Sequence, residues 1–141
     1  MAKLRERLEK LGREIGTREA EHGAALDAAR DRAASLRVAV VEGLAGFREG
    51  AAAAGASHLD VEVSELRLDD KHVRSIEFDL WRGRYRAIVT VKSRGDVTLV
   101  GPFHAGKTEG PCQSFPFDAE DEIQAALADF LERFLTDAVT P

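Results

Sequence analysis

The spacing of the apolar residues changes twice along this chain, and this pattern limits the folds that the chain can adopt. Up to residue 56 the apolar residues recur every three or four positions, from 57 to 101 every second position, and from 118 onward at the helical spacing again. Side chains three or four apart share a helix face, whereas side chains two apart share a strand face. The order predicts a helix, several strands and a second helix.

The strands are expected to be antiparallel, because the segments between them are too short to contain a crossover helix. These connections read LDDKH, WRGR and SRGD, which are typical of hairpin turns. We therefore predict an α+β fold with a long N-terminal helix, a four-stranded antiparallel meander, and a C-terminal amphipathic helix packed on the sheet. Residues 1–56 would form a helical, coiled-coil segment, and residues 57–141 would form one globular unit.

The N-terminal helix begins with an apolar seam. Its four members are spaced four, three and four apart among charged residues, as in a coiled coil: Leu4, Leu8, Leu11 and Ile15. The spacing shifts near Gly16, which leaves open whether the helix is continuous or breaks there and restarts with Thr17 as its cap. The seam predicts an oligomer interface, most simply that of a homodimer. A different protein as the partner is the alternative.

The alternation also predicts which strand residues are buried beneath the C-terminal helix. The predicted set is Leu59, Val61, Ile76, Phe78, Leu80, Val89, Val91 and Leu99. In the first strand the alternation changes phase near Glu65, which predicts a bulge at that point. The C-terminal helix has Asp118 as its predicted cap and an acidic first turn, followed by a broad apolar face that includes Phe130 and Phe134.

Composition excludes few functions. The chain has 141 residues, of which 44% are hydrophobic and 32% charged, and its net charge of −5 gives no general attraction to nucleic acid or to an anionic membrane. A single cysteine excludes an intrachain disulfide and favours a cytoplasmic location. The charged N-terminal stretch and the lack of a long apolar run predict neither a secretory signal nor a membrane-spanning helix.

Residues 101–108, GPFHAGKT, match the phosphate-loop pattern G-x-x-x-x-G-K-[ST]. In a working loop, Lys107 and Thr108 would open a helix whose N-terminal amides bind phosphate groups. Gly110 and Pro111 oppose that helix. We therefore predict a glycine-rich turn, and nucleotide binding is the least favoured function.

The same loop places His104 eight residues before Cys112, so a histidine-activated thiolate is a further candidate. The sequence supplies no third group to orient the histidine, and the histidines show no metal-ligand spacing. No catalytic residue, metal site or cofactor is predicted.

The stretch WRGRYR, residues 81–86, places two aromatic residues among three arginines at a hairpin tip: Trp81, Arg82, Arg84, Tyr85 and Arg86. These residue types can stack on bases or form the centre of a protein interface. Equally, Tyr85 is in phase with the core residues, and the arginines can pair with acidic residues of neighbouring strands. The tip is a candidate surface for a protein partner or for nucleic acid.

These features favour a non-enzymatic interaction or assembly module that dimerises through its N-terminal helix. The first alternative is a nucleic-acid-binding dimer that uses the arginine-rich hairpin at 81–86. A nucleotide-binding protein that uses residues 101–108 is less favoured.

Overall fold

The computed structural model describes residues 2–69, 74–106 and 110–139. Helix α1, Ala2–Ala53, is followed by six strands: β1 Glu62–Val63, β2 Arg67–Asp69, β3 Ser75–Arg82, β4 Tyr85–Lys92, β5 Asp96–His104 and β6 Cys112–Pro116. Helix α2 spans Glu120–Val139. The architecture is α+β, with both helices on one face of an antiparallel sheet, as the order of spacings predicts.

Helix α1 is uninterrupted, so the alternative of a break near Gly16 is wrong. The Thr17 hydroxyl donates to the carbonyl of Arg13 at 2.8 Å, which is a bond made inside a helix and not at a cap. The helix ends where Gly55 adopts φ +88°. There the amides of Gly55 and Ala56 donate to the carbonyls of Ala52 and Ala51 at 3.0 and 2.8 Å, the Schellman arrangement of a helix C-terminus.

The sheet runs in the order β1-β3-β4-β5-β6, with β2 also paired to β3, and every pairing is antiparallel. The predicted count of four strands is too low for two reasons. The first predicted strand is divided into β1 and β2, which both pair with β3. Residues after the predicted glycine-rich turn supply the additional strand β6, which pairs with β5.

The division between β1 and β2 lies where the bulge near Glu65 is predicted. The Ser64 amide donates to the Asp79 carbonyl at 2.9 Å, and the Ser64 hydroxyl accepts from the Asp79 amide at 2.8 Å. The hydroxyl thereby replaces a carbonyl in the ladder. The Ser64 carbonyl is freed to accept from Nε of Arg37 in α1 at 2.8 Å. The chain therefore detours toward α1 before β2 begins.

The core lies between the sheet and the two helices. Seven of the eight strand residues predicted to be buried are buried, and Leu59 is partly exposed because it precedes β1. The prediction that the C-terminal helix covers them is incomplete, since α1 packs on β3 and β4 and α2 packs on β4 and β5. Helix α1 contributes five buried residues to this core: Ala29, Ala33, Leu36, Val40 and Leu44.

Three arginines of α1 hold the segments that flank the sheet. Arg32 donates through Nε to the Phe117 carbonyl at 3.1 Å and lies 2.6 Å from a carboxylate oxygen of Glu120 at the start of α2. Arg48 reaches a carboxylate oxygen of Asp60 at 3.2 Å. Together with Arg37, they fix both ends of the meander against α1. The Ala119 carbonyl accepts the first helical bond of α2, from Ile123, so the cap lies one residue after the predicted Asp118.

Neither described helix combines the length and the apolar character that crossing a bilayer requires. In α1 this follows from the charged residues spread along its 52 residues. In α2 the buried apolar side chains lie on the face that contacts the sheet, and charged residues occupy much of the remaining surface.

Candidate interaction surfaces

The first part of α1 projects beyond the sheet as an arm, here defined as residues 2–18. Every residue from 2 to 21 is exposed. The first ion pair between α1 and the sheet region joins Glu19 and Arg74 at 3.7 Å. The arm carries the four predicted interface residues, and their exposed fractions are 52% for Leu4, 56% for Leu8, 45% for Leu11 and 46% for Ile15. The predicted seam is therefore present and uncovered within the described chain.

The seam lies on the same side of α1 as the stripe that contacts the sheet. An α-helix turns by about 100° per residue, and on that basis the mean direction of the four seam residues differs by only about 10° from that of the five buried α1 residues. One apolar stripe therefore runs along most of α1. The sheet covers its second half, from Ala29 to Leu44, and nothing described covers its first half.

The five residues of the arginine-rich hairpin do not converge on one site. Trp81 pairs with Arg86 and Arg82 pairs with Tyr85, so alternate residues point to opposite faces of the sheet. Tyr85 contacts the His104 ring edge to face, with centroids 4.8 Å apart, and packs against the core. Arg82 donates through Nη1 to the carbonyl of Asp60, just before β1, at 2.8 Å. Arg84 remains exposed at the turn.

A cluster of charges occupies the sheet face that the helices leave open. Arg67 donates through Nε to Glu77 Oε1 at 2.9 Å and through Nη2 to Asp79 Oδ1 at 2.6 Å. Arg86 lies 4.0 Å from the other Asp79 oxygen, and the Thr90 hydroxyl donates to Glu77 at 3.3 Å. Burial alone would lower the pKa of the Arg67 guanidinium, but its hydrogen bonds to Asp79 and Glu77, with the charges of these residues, outweigh burial and raise that pKa.

Of the predicted pairing between the hairpin arginines and the acidic residues of neighbouring strands, this cluster contains one contact, Arg86 with Asp79 at 4.0 Å. Its shorter contacts join Arg67 of β2 to Glu77 and Asp79 of β3. The central role of Arg67 is not visible in the sequence, because it depends on the register that places Arg67 opposite Glu77. The open face also carries apolar side chains. Ile88 and Val100 are paired neighbours there, and Trp81 and Phe103 both flank Arg86. All four are partly exposed.

The first half of the phosphate-loop pattern lies within a strand. Residues 101–104 belong to β5, and the turn begins only at Ala105. Gly101 has φ +112°, and a Cβ at this position would lie 2.9 Å from the carbonyl oxygen of Arg86, so this glycine serves the irregular pairing of β5 with β4. Lys107 and Thr108 lie outside the described residues. From Gly110 the chain enters β6, and the next helix starts at Glu120.

His104 and Cys112 are not brought together. Cys112 pairs with Val100, so His104 lies four residues further along β5, which is about 13 Å at the rise of a strand. His104 is opposite Tyr85, on the helix side of the sheet, whereas Val100 and Cys112 are on the open side. This arrangement does not allow the imidazole to activate the thiol. Within residues 2–69, 74–106 and 110–139, no three His, Cys, Asp or Glu side chains are grouped to hold a metal ion.

Comparison with known proteins gives no match to a family model, a curated protein or a solved structure. The function of the chain has to be inferred from its own surfaces. Among these, the arm is the one whose residues sequence and structure both single out.

Proposed function

We propose that this protein is a non-enzymatic interaction or assembly module that associates with a second copy of itself through the arm. The observation that carries the proposal is the exposure of four large aliphatic side chains, each 45–56% exposed, on a helix that continues into the folded domain without a break. A row of this kind on one face is typical of a helix that pairs with another helix.

A partner also accounts for the helical state of the arm. A helical segment of about 17 residues is marginal in water by itself, because its hydrogen bonds barely offset the loss of backbone entropy. Gly12 and Gly16 weaken it further, each by about 1 kcal/mol relative to alanine. The folded second half of α1 supplies a nucleus for the arm, and burial of the seam against a second helix supplies the remaining stabilisation.

A second copy is the simplest partner because it presents the same seam. Closed two-fold dimers are the commonest homo-oligomers, and each copy then covers the other. Four side chains per copy make a small interface, so we expect a reversible dimer with a dissociation constant in roughly the micromolar range. A cytoplasmic location belongs to this proposal, because Cys112 is free and exposed and a reducing compartment keeps such a thiol reduced.

Sedimentation equilibrium across the micromolar range tests self-association. The full chain should show a mass above the 15.4 kDa of one copy, and Leu11→Glu should return it to that mass. Lys10→Glu is the matched control, because it adds a carboxylate on the same turn but away from the seam, and it should still dimerise. A full chain that stays monomeric at every concentration refutes the proposal. A chain lacking residues 1–16 that still dimerises moves the interface to another surface.

Nucleic-acid binding through the hairpin at 81–86 is less well supported. Arg82 donates to backbone carbonyls and Arg86 lies beside Asp79, so two of the three guanidinium groups are already engaged with protein oxygens. A salt-sensitive affinity for DNA or RNA that falls with Arg84→Ala would favour this alternative.

A further inference from the structure

We infer that the two arms pair antiparallel, with Leu4 against Ile15 of the second copy and Leu8 against Leu11 of the second copy. This inference rests on the proposed self-association and adds its orientation and register. Two independent features of the chain support it: the position of the sheet relative to the seam, and the charges that flank the seam.

The sheet prevents a parallel pairing. The seam and the sheet-contacting stripe share one side of an uninterrupted helix, and contact with the sheet region begins near Glu19. A parallel partner helix lying on the seam would run directly into the space that the first copy's sheet occupies. Each copy would need a bend in α1 to separate the two domains, and α1 is continuous through this region.

Antiparallel pairing removes this conflict. With Leu4 opposite Ile15, the two helices run away from each other beyond the contact, so the second copy's domain lies past the described start of the first arm at Ala2. The overlap then matches the arm, since residue 18 of one copy lies opposite the start of the other. All four seam residues of each copy are covered in this register.

The flanking charges favour the same orientation. In a heptad repeat, Leu8 and Ile15 take the first core position, and Leu4 and Leu11 take the fourth. Arg7 and Glu14 each directly precede a first core position, so they flank the seam. Antiparallel helices bring such positions together, so Arg7 of each copy lies near Glu14 of the other. Parallel helices would instead place Glu14 near Glu19 of the other copy, which is a repulsive pair.

Cysteine cross-linking in a Cys112→Ser background distinguishes the two orientations. Two variants are prepared, one with Leu4→Cys and one with Ile15→Cys, and each is oxidised alone and after mixing. In the antiparallel register, two copies of position 4, or two of position 15, are about 16 Å apart along the axis. A disulfide requires a Cα separation below about 7 Å. We expect covalent dimers from the mixture only. Rapid cross-linking of each variant with itself would show a parallel pair.

Charge reversal at Glu14 provides a second test, because the expected change in dimer affinity is opposite for the two orientations. Glu14→Arg should raise the dissociation constant of the antiparallel dimer about tenfold at low salt. The new arginine of each copy faces Arg7 of the other, so the complex contains two repulsive pairs. The double variant Arg7→Glu with Glu14→Arg should restore the affinity. In a parallel dimer Glu14→Arg would face Glu19 and strengthen association. Lys10→Arg controls for the introduced guanidinium and should leave the dissociation constant unchanged.

The outcomes separate the orientation from the self-association on which it rests. A full chain that sediments as a monomer overturns both. A dimer whose single-cysteine variants cross-link with themselves, and whose affinity rises with Glu14→Arg, overturns the antiparallel register and leaves self-association standing. Cross-linking confined to the mixture, together with rescue by the double reversal, supports the register.

Discussion

The substitution Leu36→Ala tests whether the second half of α1 belongs to the same folding unit as the sheet. Leu36 is 1% exposed, and its neighbours on the buried stripe, Ala33 and Val40, are both fully buried. Truncating a buried leucine costs about 2–5 kcal/mol, through lost burial and the cavity that remains. Because Ala33 and Val40 are too short to fill that cavity, we expect about 3 kcal/mol. This is a large part of the roughly 5–15 kcal/mol that stabilises an ordinary domain.

Urea denaturation, monitored through the fluorescence of Trp81 in β3, measures the loss of unfolding free energy. The probe lies in the sheet, whereas the substitution is in the helix. For an assumed dependence of about 2 kcal/mol per molar urea, the midpoint should fall by about 1.5 M. The control is Leu8→Ala, the same change on the same side of the same helix, where the side chain is 56% exposed. In dilute solution it should shift the midpoint very little. If Leu36→Ala is equally mild, α1 does not stabilise the sheet and the common core is wrong.

Three further substitutions test local features, each by urea denaturation. Gly46→Ala should stabilise the protein by about 0.5–1 kcal/mol, because the described atoms leave at least 4 Å of open space around the new methyl group; a loss would contradict this helical placement. Gly101→Ala should destabilise by about 1–3 kcal/mol, because φ is +112° and the added Cβ would lie 2.9 Å from the Arg86 carbonyl oxygen; an unchanged midpoint would refute the strained pairing. Arg67→Ala should cost about 1–3 kcal/mol by leaving Glu77 and Asp79 side by side, whereas Arg67→Lys should recover only part of it.

The element types and the buried faces could be predicted because burial imposes a period on the sequence. Ile76, Phe78 and Leu80 alternate with Glu77 and Asp79, and that alternation fixes which side of β3 contacts the helices. The pattern does not reveal which helix lies above which strand. The α1 stripe of alanine, leucine and valine is compatible with a coiled coil and with a sheet, so the division of the cover between α1 and α2 requires the tertiary structure.

The predictions that are wrong, a helix break near Gly16 and a count of four strands, concern segments in which the local sequence preferences are weak or conflict. Gly16 and Thr17 are common at helix ends, but here the helix propensity of the surrounding residues and the packing of the later turns outweigh the local cost of glycine. At the edges of the sheet, β1 and β2 together contain only five residues, and β6 ends in a proline that an edge strand tolerates. Strands this short have too few residues to show a period.

The candidate surfaces also differ in whether the sequence alone could predict them. The seam could be predicted because four side chains at fixed spacing define it. The Arg67 cluster could not, because its members come together only through the register of β2 on β3. The phosphate-loop pattern is the opposite case: its letters match, but the backbone they require is a loop leading into a helix, and residues 101–104 form a strand instead.

The proposed antiparallel dimer has a consequence for what the protein could assemble. Each α1 has 52 residues. Two such helices overlapping over their arms would span about 130 Å at 1.5 Å per residue. Since each sheet lies on the side of its helix that faces the other helix, a two-fold axis through the overlap turns the two open sheet faces in opposite directions. The dimer would present two copies of the Arg67 cluster and of the apolar residues beside it, far apart and facing away from each other. That geometry suits a module that links two separate partners and is unsuited to closing around one.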